Sequence, residues 1–332
     1  VGTNKDTAQP VCMSCNVTTT ECTFADATFS QNTNWFVLNC EGAGLPQSIL
    51  YSALDLSIMY MLESNAKVAN KLKRKAVPTK KYLEIPIEGY IMNAQLTLPA
   101  NMDNARKHAL LVDVYGGPGS QKVQETFQLG WPAYLASQYN VIVASIDGRG
   151  AGNYGDNYLF ELYKKFGTVE IEDQMQGAEY IKELSYIDSN KAAIWGWSYG
   201  GFASAMALAT GETFNCAMSV SPVTDWRYYD SAYTERYMGF PSDNLQGYLA
   251  SNVSSLAKNF IDKSFLVVHG LADDNVHFQN TANLIKALTH FEVDYEVQFY
   301  TDKAHDLAGL HTRRHLYRLL TKHLIQCLNL EQ

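Results

Sequence analysis

The chain has 332 residues, 46% of them hydrophobic and 18% charged, which fits one large globular domain with a smaller one beside it. Its net charge of -8 at pH 7 argues against an electrostatic surface for nucleic acid. An uninterrupted run of about eighteen apolar residues does not occur, so we expect no membrane span in this chain. The N-terminus has neither a signal-peptide pattern nor an initiator methionine, so we expect an upstream piece to have been removed or left out.

Residues 1–65 read as short antiparallel strands. Alternating runs at 34–40 and 48–53 have the period-two pattern of half-buried strands. They are too few for a stable sheet domain, so we expect them to end a larger all-β unit of the β-propeller kind. The Lys-rich stretch 66–81 follows, where Pro78 breaks a short helical pattern, and it is predicted to be a linker.

From residue 82 to residue 332 the pattern alternates between strand and helix. Apolar strands are predicted at 109–115, 140–146, 264–268 and 293–300, with helices at 172–184, 281–288 and 312–328. Continuous apolar strands with helices between them indicate an α/β domain with a mostly parallel sheet covered on both faces. A ligand site is expected at the carboxyl ends of those strands.

The six cysteines are even in number, and four of them fall within the first forty residues. Cys12 and Cys15 have the C-x-x-C spacing, which leaves zinc as an alternative to disulfides. Glycosylation sequons begin at Asn16 and Asn252. Paired cysteines and sequons together favour an oxidising, extracellular context.

A Gly-x-Ser-x-Gly pattern lies at Gly196, Ser198 and Gly200. It follows the apolar run 192–195 and precedes a stretch of small helix-forming residues at 202–209. The alternative is an ordinary serine in a glycine-rich turn. The strand, turn and helix around the motif favour a nucleophile whose hydroxyl stands above the sheet.

A serine nucleophile needs a base, and the base needs an orienting carboxylate. In this fold the partners follow in the order serine, acid, histidine. The strand 264–268 runs into Asp273 and Asp274, which are both candidate acids, although Asp274 could instead cap the next helix. Among eight histidines, His305 lies in the loop after the last strand and is the candidate base.

The oxyanion needs fixed donors, and the backbone N–H of Tyr199 is one by construction of the turn. The second should come from the loop after the strand that ends at Tyr115. A backbone N–H or the Tyr115 hydroxyl could serve, and a packing tyrosine is the alternative.

The stretch 226–237 is unusually aromatic. Tyr229, Tyr233 and Tyr237 recur every four residues, which predicts that they line one helical face. A core stripe is the alternative. Because the stretch follows a predicted strand end on the catalytic side, flat aromatic walls there would suit a compact apolar ring such as proline.

Residues 150–155 match the dinucleotide fingerprint G-x-G-x-x-G. Asp147, Gly148 and Arg149 separate the match from the preceding strand, and we expect no helix to begin at its third glycine. The stretch is therefore interpreted as a loop, and no cofactor is expected.

Three runs, 195–201, 272–278 and 228–239, resemble the dipeptidyl peptidase IV branch of the prolyl oligopeptidase family, and the similarity covers essentially the whole chain. The resemblance implies an α/β-hydrolase domain preceded by the last strands of a β-propeller. It also implies a serine exopeptidase that releases X-Pro or X-Ala dipeptides, a homodimer formed through the final helix, and an extracellular protein that is secreted or at the cell surface. In the family, propeller glutamates bind the amino terminus of the substrate, and those regions would lie upstream of Val1.

The resemblance also assigns individual residues. It implies Ser198 as nucleophile, Asp273 rather than Asp274 as acid, and His305 as base. It implies Tyr115 as an oxyanion donor, Asn275 as a substrate contact, and a proline pocket formed by Val223, Trp226, Tyr229, Tyr233 and Val276. It implies disulfides in place of a metal site, pairing Cys12 with Cys15, Cys22 with Cys40, and Cys216 with Cys327. Two alternatives stay open: a prolyl endopeptidase or other serine hydrolase, and a non-catalytic binding protein of the cell surface or secreted kind.

Overall fold

A computed structural model describes residues 2–3, 10–11, 14 and 22–330 of the chain. The predictions for Cys12, Cys15 and Asn16 lie outside the described residues. Two compact units are present. The N-terminal unit comprises 1–77 with 124–130, and the C-terminal unit comprises 78–123 with 131–332.

The N-terminal unit is built from antiparallel strands. A short pair, β1 (Gly2–Thr3) and β2 (Pro10–Val11), is followed by a four-stranded sheet in chain order. Its strands are β3 (Cys22–Phe29), β4 (Trp35–Ala43), β5 (Gln47–Ser52) and β6 (Ile58–Glu63), and helix α1 (Ala66–Leu72) follows them. A four-stranded antiparallel sheet is the form of one propeller blade, in agreement with the predicted strands.

This sheet is held by a small core and a disulfide. Phe36, Leu38, Ile49 and Tyr51 are buried together, since alternate residues of β4 and β5 point to one face. The Cys22–Cys40 disulfide joins β3 to β4. It is one of the pairs that the resemblance implied.

The stretch predicted as a linker contains regular structure. Residues 66–72 form α1, and strand β7 begins at Thr79, where its pairing with β8 starts. The strand begins there because Thr79 pairs with Leu98 of β8, and its period-two pattern buries Ile85 and Ile87 in the large sheet. The division into residues 1–65, 66–81 and 82–332 stays a prediction.

The C-terminal unit alternates strands and helices as predicted. Its strands are β7 (Thr79–Ile87), β8 (Tyr90–Leu98), β9 (His108–Val114), β10 (Ile142–Asp147), β11 (Ile187–Trp197), β12 (Cys216–Val220), β13 (Ser264–Gly270) and β14 (Glu296–Tyr300). Its helices are α2 (Trp131–Tyr139), α3 (Asp156–Leu159), α4 (Val169–Lys182), α5 (Tyr199–Thr210), α6 (Ser231–Met238), α7 (Leu245–Ala250), α8 (Gln279–His290) and α9 (Leu310–Cys327). Short 3-10 helices cover Phe160–Leu162, Trp226–Tyr228 and Val253–Phe260.

The eight strands form one mixed sheet in the order β14-β13-β12-β11-β9-β10-β8-β7. Strand β8 pairs antiparallel with both β7 and β10, and the other pairs are parallel. The last strand is shorter than predicted, because the N–H of Val293 bonds to the carbonyl of Leu288 and closes a turn before the strand begins.

Both faces of the sheet are buried, which explains the apolar runs of its central strands. In β11, Ala192 and Ile194 pack on the face covered by α4, α5 and α8. Ala193 and Trp195 pack on the face covered by α2 and α9. The Cys216–Cys327 disulfide, also implied by the resemblance, ties β12 to the end of α9.

The loop at 150–155 differs from expectation in one respect. A four-residue helix, α3, does begin directly after Gly155, so the expectation of no helix there is wrong. The glycines are explained by packing, since a Cβ on Gly152 would lie 2.5 Å from the carbonyl oxygen of Gly119, and one on Gly150 would lie 2.1 Å from Leu162. Within the described part of the chain, no helix is long and apolar enough to cross a membrane.

Candidate active site

Ser198 lies in the sharp turn between β11 and α5. Its backbone has φ 61° and ψ -119°, a conformation that non-glycine residues rarely adopt. The turn is held by the Ser198 N–H, which donates to the Val220 carbonyl of the neighbouring strand at 2.9 Å. The serine side chain is thereby placed at the carboxyl edge of the sheet, as the Gly-x-Ser-x-Gly motif predicts.

The flanking glycines let the helix begin against the strands. A Cβ on Gly200 would lie 2.2 Å from the Val114 carbonyl oxygen, and one on Gly196 would lie 2.3 Å from the Gly200 carbonyl oxygen. These are backbone atoms that cannot move aside, so a side chain at either position would push α5 away from the sheet.

The candidate acid and base are in direct contact. His305 Nδ1 lies 2.8 Å from Asp273 Oδ2, and the other carboxylate oxygen accepts the backbone N–H groups of Asn275 at 3.1 Å and Val276 at 2.9 Å. Because Nδ1 faces a carboxylate, it carries the proton and leaves Nε2 of the neutral ring free to accept one. Asp274 is exposed and does not cap α8.

Backbone hydrogen bonds join the loops that carry Asp273 and His305. The Ala272 N–H donates to the Lys303 carbonyl at 3.0 Å, and the Leu271 N–H donates to Tyr300 at 3.0 Å. Gly270 is required at this contact, since a Cβ there would lie 2.2 Å from the Lys303 carbonyl oxygen. The distance between the two side chains is therefore set by main-chain structure.

Trp197, the residue before Ser198, holds the loop that carries His305 (the base loop). Its indole Nε1–H donates to the His305 carbonyl at 3.0 Å, and the Arg313 guanidinium lies 4.7 Å above its ring. The sequence interpretation missed this residue, although it is the immediate neighbour of Ser198. Its role depends on a partner 108 residues away, which local pattern does not reveal.

The electrostatics keep Asp273 ionised. Burial alone would raise the pKa of Asp273, but hydrogen bonds from His269 and His305, together with their charges, hold it well below its usual value. A buried anion beside His305 favours the imidazolium form that a general base must pass through.

Two groups are placed to stabilise an oxyanion. The Tyr115 hydroxyl is hydrogen-bonded with Ser198, and burial raises the pKa of Tyr115, so the phenol stays protonated and able to donate. The backbone N–H of Tyr199 belongs to the first turn of α5, where N–H groups have no acceptor within the helix. These are the two groups that the sequence predicts as donors, and their role in the reaction stays a prediction.

Glu170, near the start of α4, is hydrogen-bonded to the side chain of Tyr199. Its Oε1 accepts the Tyr199 hydroxyl at 2.8 Å and the Gly167 N–H at 2.6 Å, and Oε2 accepts the Thr168 N–H at 3.0 Å. Glu170 is only 1% exposed. The sequence interpretation missed it, because it lies 29 residues before Tyr199 and outside any motif.

The predicted pocket residues are brought together beside Ser198. Tyr233 stacks on Trp226 with an interplanar angle of 19°, and Tyr229 meets both rings edge-on. The Tyr229 hydroxyl donates to Asn275 Oδ1 at 2.8 Å. Val223 and Val276 are buried at 2% and 0% exposure. Sequence reasoning missed one further ring, Phe166, whose centroid is 4.7 Å from that of Trp226.

The predicted helical stripe of tyrosines is only partly helical. Tyr233 and Tyr237 lie on α6, but Tyr229 precedes that helix in an extended conformation. The reason is Asp230, whose carboxylate accepts the Tyr233 N–H at 2.9 Å and begins the helix after Tyr229. The three rings still pack in series, with centroids 5.4 and 5.1 Å apart.

Asn252, a predicted glycosylation site, has a buried and hydrogen-bonded side chain. It is 8% exposed, and its amide nitrogen, the atom that would carry a glycan, donates to Asp225 at 2.9 Å. Its oxygen accepts the Ser255 N–H at 3.2 Å and caps a 3-10 helix. A sequon therefore arises here from a capping asparagine.

A strained serine between a parallel strand and a helix, with an acid and a histidine in the loops after two later strands, defines a serine hydrolase of the α/β-hydrolase class. The profile of the prolyl oligopeptidase family matches residues 127–331, and the chain belongs to this family. The predicted fold class and the resemblance are both confirmed.

Named relatives agree with this assignment. The chain is 41% identical to dipeptidyl peptidase 4 of Sus scrofa over 98% of its length, and 40% identical to prolyl endopeptidase FAP of Homo sapiens over 96%. These matches cover 43% and 42% of the relatives. The crystal structure of Porphyromonas gingivalis dipeptidyl peptidase 4 matches 91% of this chain with TM-score 0.86 and 35% identity, and 43% of that chain is covered. The chain thus spans less than half the length of these relatives.

Proposed function

We propose that this chain carries the catalytic machinery and the proline pocket of a dipeptidyl peptidase, a serine exopeptidase that releases X-Pro or X-Ala dipeptides from peptide N-termini. The observation that carries the proposal is the placement of the aromatic pocket, through Tyr229 and Asn275, directly beside the His305–Asp273 pair. The similarity to proteins named dipeptidyl peptidase 4 supports the same substrate class.

In the first half-reaction, the Ser198 oxygen attacks the carbonyl carbon of the proline residue, and the serine proton passes to His305 Nε2. The tetrahedral intermediate then collapses. The C–N bond breaks, the leaving amine takes the proton from His305, and an ester remains on Ser198. In the second half-reaction, His305 takes a proton from water as the water oxygen attacks the ester. The C–O bond to Ser198 then breaks, His305 gives the proton to the serine oxygen, and the dipeptide leaves with a free carboxyl group.

Charge in this sequence develops at two places. The carbonyl oxygen becomes negative and is met by the Tyr115 hydroxyl and the Tyr199 N–H. His305 becomes positive and is met by Asp273, which stays ionised throughout. Neither the Tyr115 hydroxyl nor the Asp273 carboxylate needs to reorganise during the reaction, because both are already held by hydrogen bonds in the folded chain.

The pocket favours a compact ring at the residue before the scissile bond. Trp226 and Tyr233 provide flat apolar walls, and the Tyr229–Asn275 hydrogen bond holds one side of the mouth. Proline fills such a slot without losing side-chain entropy, and alanine is small enough to enter it. A β-branched or long side chain would clash with the stacked rings.

The setting of the enzyme is also part of the proposal. The Cys22–Cys40 and Cys216–Cys327 disulfides support an oxidising compartment, and hence an extracellular protein that is secreted or at the cell surface. A homodimer through the final helix, α9, and a parent protein with a complete propeller are proposed on the family resemblance.

The test is hydrolysis of a Gly-Pro chromogenic amide beside its N-acetylated form, with Ser198→Ala as the control. Cleavage of the free amide alone supports the exopeptidase. Cleavage of both supports a prolyl endopeptidase, which is the second candidate because relatives named prolyl endopeptidase FAP are 40% identical to this chain. If neither amide is cleaved and a serine-directed phosphonate does not label Ser198, the proposal of a hydrolase is wrong and a binding role remains.

A further inference from the structure

A second histidine contacts the candidate triad acid. His269, the second-last residue of β13, is completely buried. Its Nε2 lies 3.2 Å from Asp273 Oδ2 and 2.8 Å from the Val276 carbonyl oxygen. Its Nδ1 lies 2.6 Å from the hydroxyl oxygen of Thr281, which is also buried. Both nitrogens of this ring are therefore engaged.

The partners decide which nitrogen carries a proton. Nε2 faces two oxygen acceptors that have no proton to give, so Nε2 must be the donor. Nδ1 faces a hydroxyl, which can donate to the neutral ring or accept from the charged one. The Nε2–H is present in either case, and it lies between the Val276 carbonyl oxygen at 2.8 Å and Asp273 Oδ2 at 3.2 Å.

His269 completes the hydrogen bonding of the Asp273 carboxylate. Oδ2 lies 2.8 Å from Nδ1 of His305 and 3.2 Å from Nε2 of His269, whose N–H it shares with the Val276 carbonyl at 2.8 Å. Oδ1 is occupied by two backbone N–H groups. The carboxylate thus accepts three hydrogen bonds and has the Nε2–H group of His269 at 3.2 Å, so that it cannot rotate without losing several of these contacts, which aims Oδ2 at His305.

We propose that His269 is a positioning residue of the catalytic site: its Nε2–H holds the Asp273 carboxylate in place and moderates the strength with which that carboxylate attracts the proton of His305. The proposal rests on the proposed function, in which His305 is the base. A donor that shares Oδ2 withdraws negative charge from the bond to His305. When that donor is lost, the imidazolium of His305 becomes more favourable and its pKa should rise.

Other groups around the pair do not replace His269. Tyr115 and Tyr229 lie on the pocket side, Arg313 of α9 stacks on Trp197, Asp306 accepts the Ala308 N–H, and Tyr300 of β14 is hydrogen-bonded to His315. None of these supplies a hydrogen bond to Asp273 in the described residues. Phe278 packs edge-on against the His269 ring at 5.8 Å and contributes shape without charge.

The experiment compares His269→Phe, which removes the donor, with His269→Gln, which keeps an amide N–H at comparable reach. The imidazole pKa of His305 is measured by ¹⁵N NMR of histidine-labelled chain, with the signal assigned by its loss in His305→Gln. We expect the pKa of His305 to rise by about one unit in the Phe variant and to stay within a few tenths in the Gln variant. An unchanged His305 titration in a folded His269→Phe protein would overturn the proposal.

The reaction rate provides a second readout. Well below the pKa of His305, kcat/KM or the rate of Ser198 phosphonylation should fall about tenfold in His269→Phe, because about tenfold less of the free base is present. Above that pKa the rate should return to within about threefold of the wild type. A loss of equal size at every pH would mean that His269 serves only the scaffold, and would contradict the proposal.

A folding control keeps the two proposals separate. Should His269→Phe not fold, Thr281→Val removes the partner of Nδ1 with nearly the same shape and should raise the pKa of His305 by a smaller amount, and no rise would count against a positioning role. If the wild-type chain cleaves no chromogenic amide, the proposed function fails. The His305 titration still decides the role of His269 in that case, because it needs no substrate.

Discussion

The hydroxyl of Tyr199 donates to the carboxylate of Glu170 at 2.8 Å, and this contact joins the first turn of α5 to the first turn of α4. The residue whose backbone N–H is proposed as an oxyanion donor is thus fixed through its side chain by a buried acid. Burial raises the pKa of Glu170 to about 7, against the opposing effect of the hydrogen bonds it accepts.

Replacing Glu170 by Gln should change how stability depends on pH. The unfolded chain releases the Glu170 proton near its ordinary pKa, whereas the folded chain keeps it up to about pH 7. Stability from this group is therefore present at low pH and is lost as pH rises through that window, by about 3 kcal/mol in total. Urea unfolding of the Gln variant at several pH values should lack this decline.

The matched control for that measurement is Glu172→Gln, an exposed acid on the same helix. It should keep the wild-type slope. If both variants have that slope, Glu170 does not titrate in the folded chain as its burial requires.

Two substitutions of Ser198 should separate catalysis from strain. Ser198→Ala and Ser198→Gly both remove the nucleophile, so kcat should fall by several orders of magnitude in each. Glycine adopts φ 61° and ψ -119° more easily than alanine does. Strain of about 1–3 kcal/mol exceeds the extra entropy of an unfolded glycine, which is about 0.4–1 kcal/mol.

The glycine variant should therefore unfold at higher denaturant than the alanine variant, by about 1 kcal/mol in free energy of unfolding. Chemical denaturation followed by tryptophan fluorescence measures the difference. An alanine variant that is equally or more stable would show that the turn at Ser198 stores no strain.

Tyr115→Phe tests the oxyanion donor. The ring is kept and only the hydroxyl is removed, so we expect kcat to fall about a hundredfold with KM within about threefold of wild type. Steady-state kinetics on the Gly-Pro amide measure both constants. Tyr180→Phe, an exposed tyrosine on α4, should leave both unchanged. A rise in KM at constant kcat would reassign Tyr115 to substrate binding.

The Tyr229–Asn275 hydrogen bond can be measured with a double-mutant cycle. Tyr229→Phe and Asn275→Ala each break the same bond, so their effects on kcat/KM should not add. We expect a coupling of about 0.5–1.5 kcal/mol in favour of the native pair. Additive losses would show that the two side chains act on substrate separately.

Local pattern predicted most of the C-terminal unit, because continuous apolar strands and helical repeats are local consequences of burial. The order of Ser198 and His305 along the chain followed from the fold. The choice of Asp273 over Asp274 did not follow from the fold, because the two acids are neighbours in the same loop after β13. The structure distinguishes the two acids by burial, since only Asp273 turns inward to meet an imidazole.

What sequence could not show was the support behind the reacting groups. Glu170, Trp197 and His269 act through partners brought together only by the fold. Asn252 is a second case in which the local pattern does not reveal the partner of a side chain. Its sequon is a valid local pattern, but its side-chain amide donates a hydrogen bond to Asp225 inside the protein.

The Cys216–Cys327 disulfide closes a covalent ring of chain that contains Asp273, His305 and the aromatic pocket, while Ser198 lies outside it. A protease that cuts an exposed turn within the ring, such as the one at Phe240, therefore cannot release a fragment. The nicked protein would keep the segment with Asp273 and His305 joined to the rest of the chain through this disulfide, and would separate into two polypeptides only in the presence of a reductant.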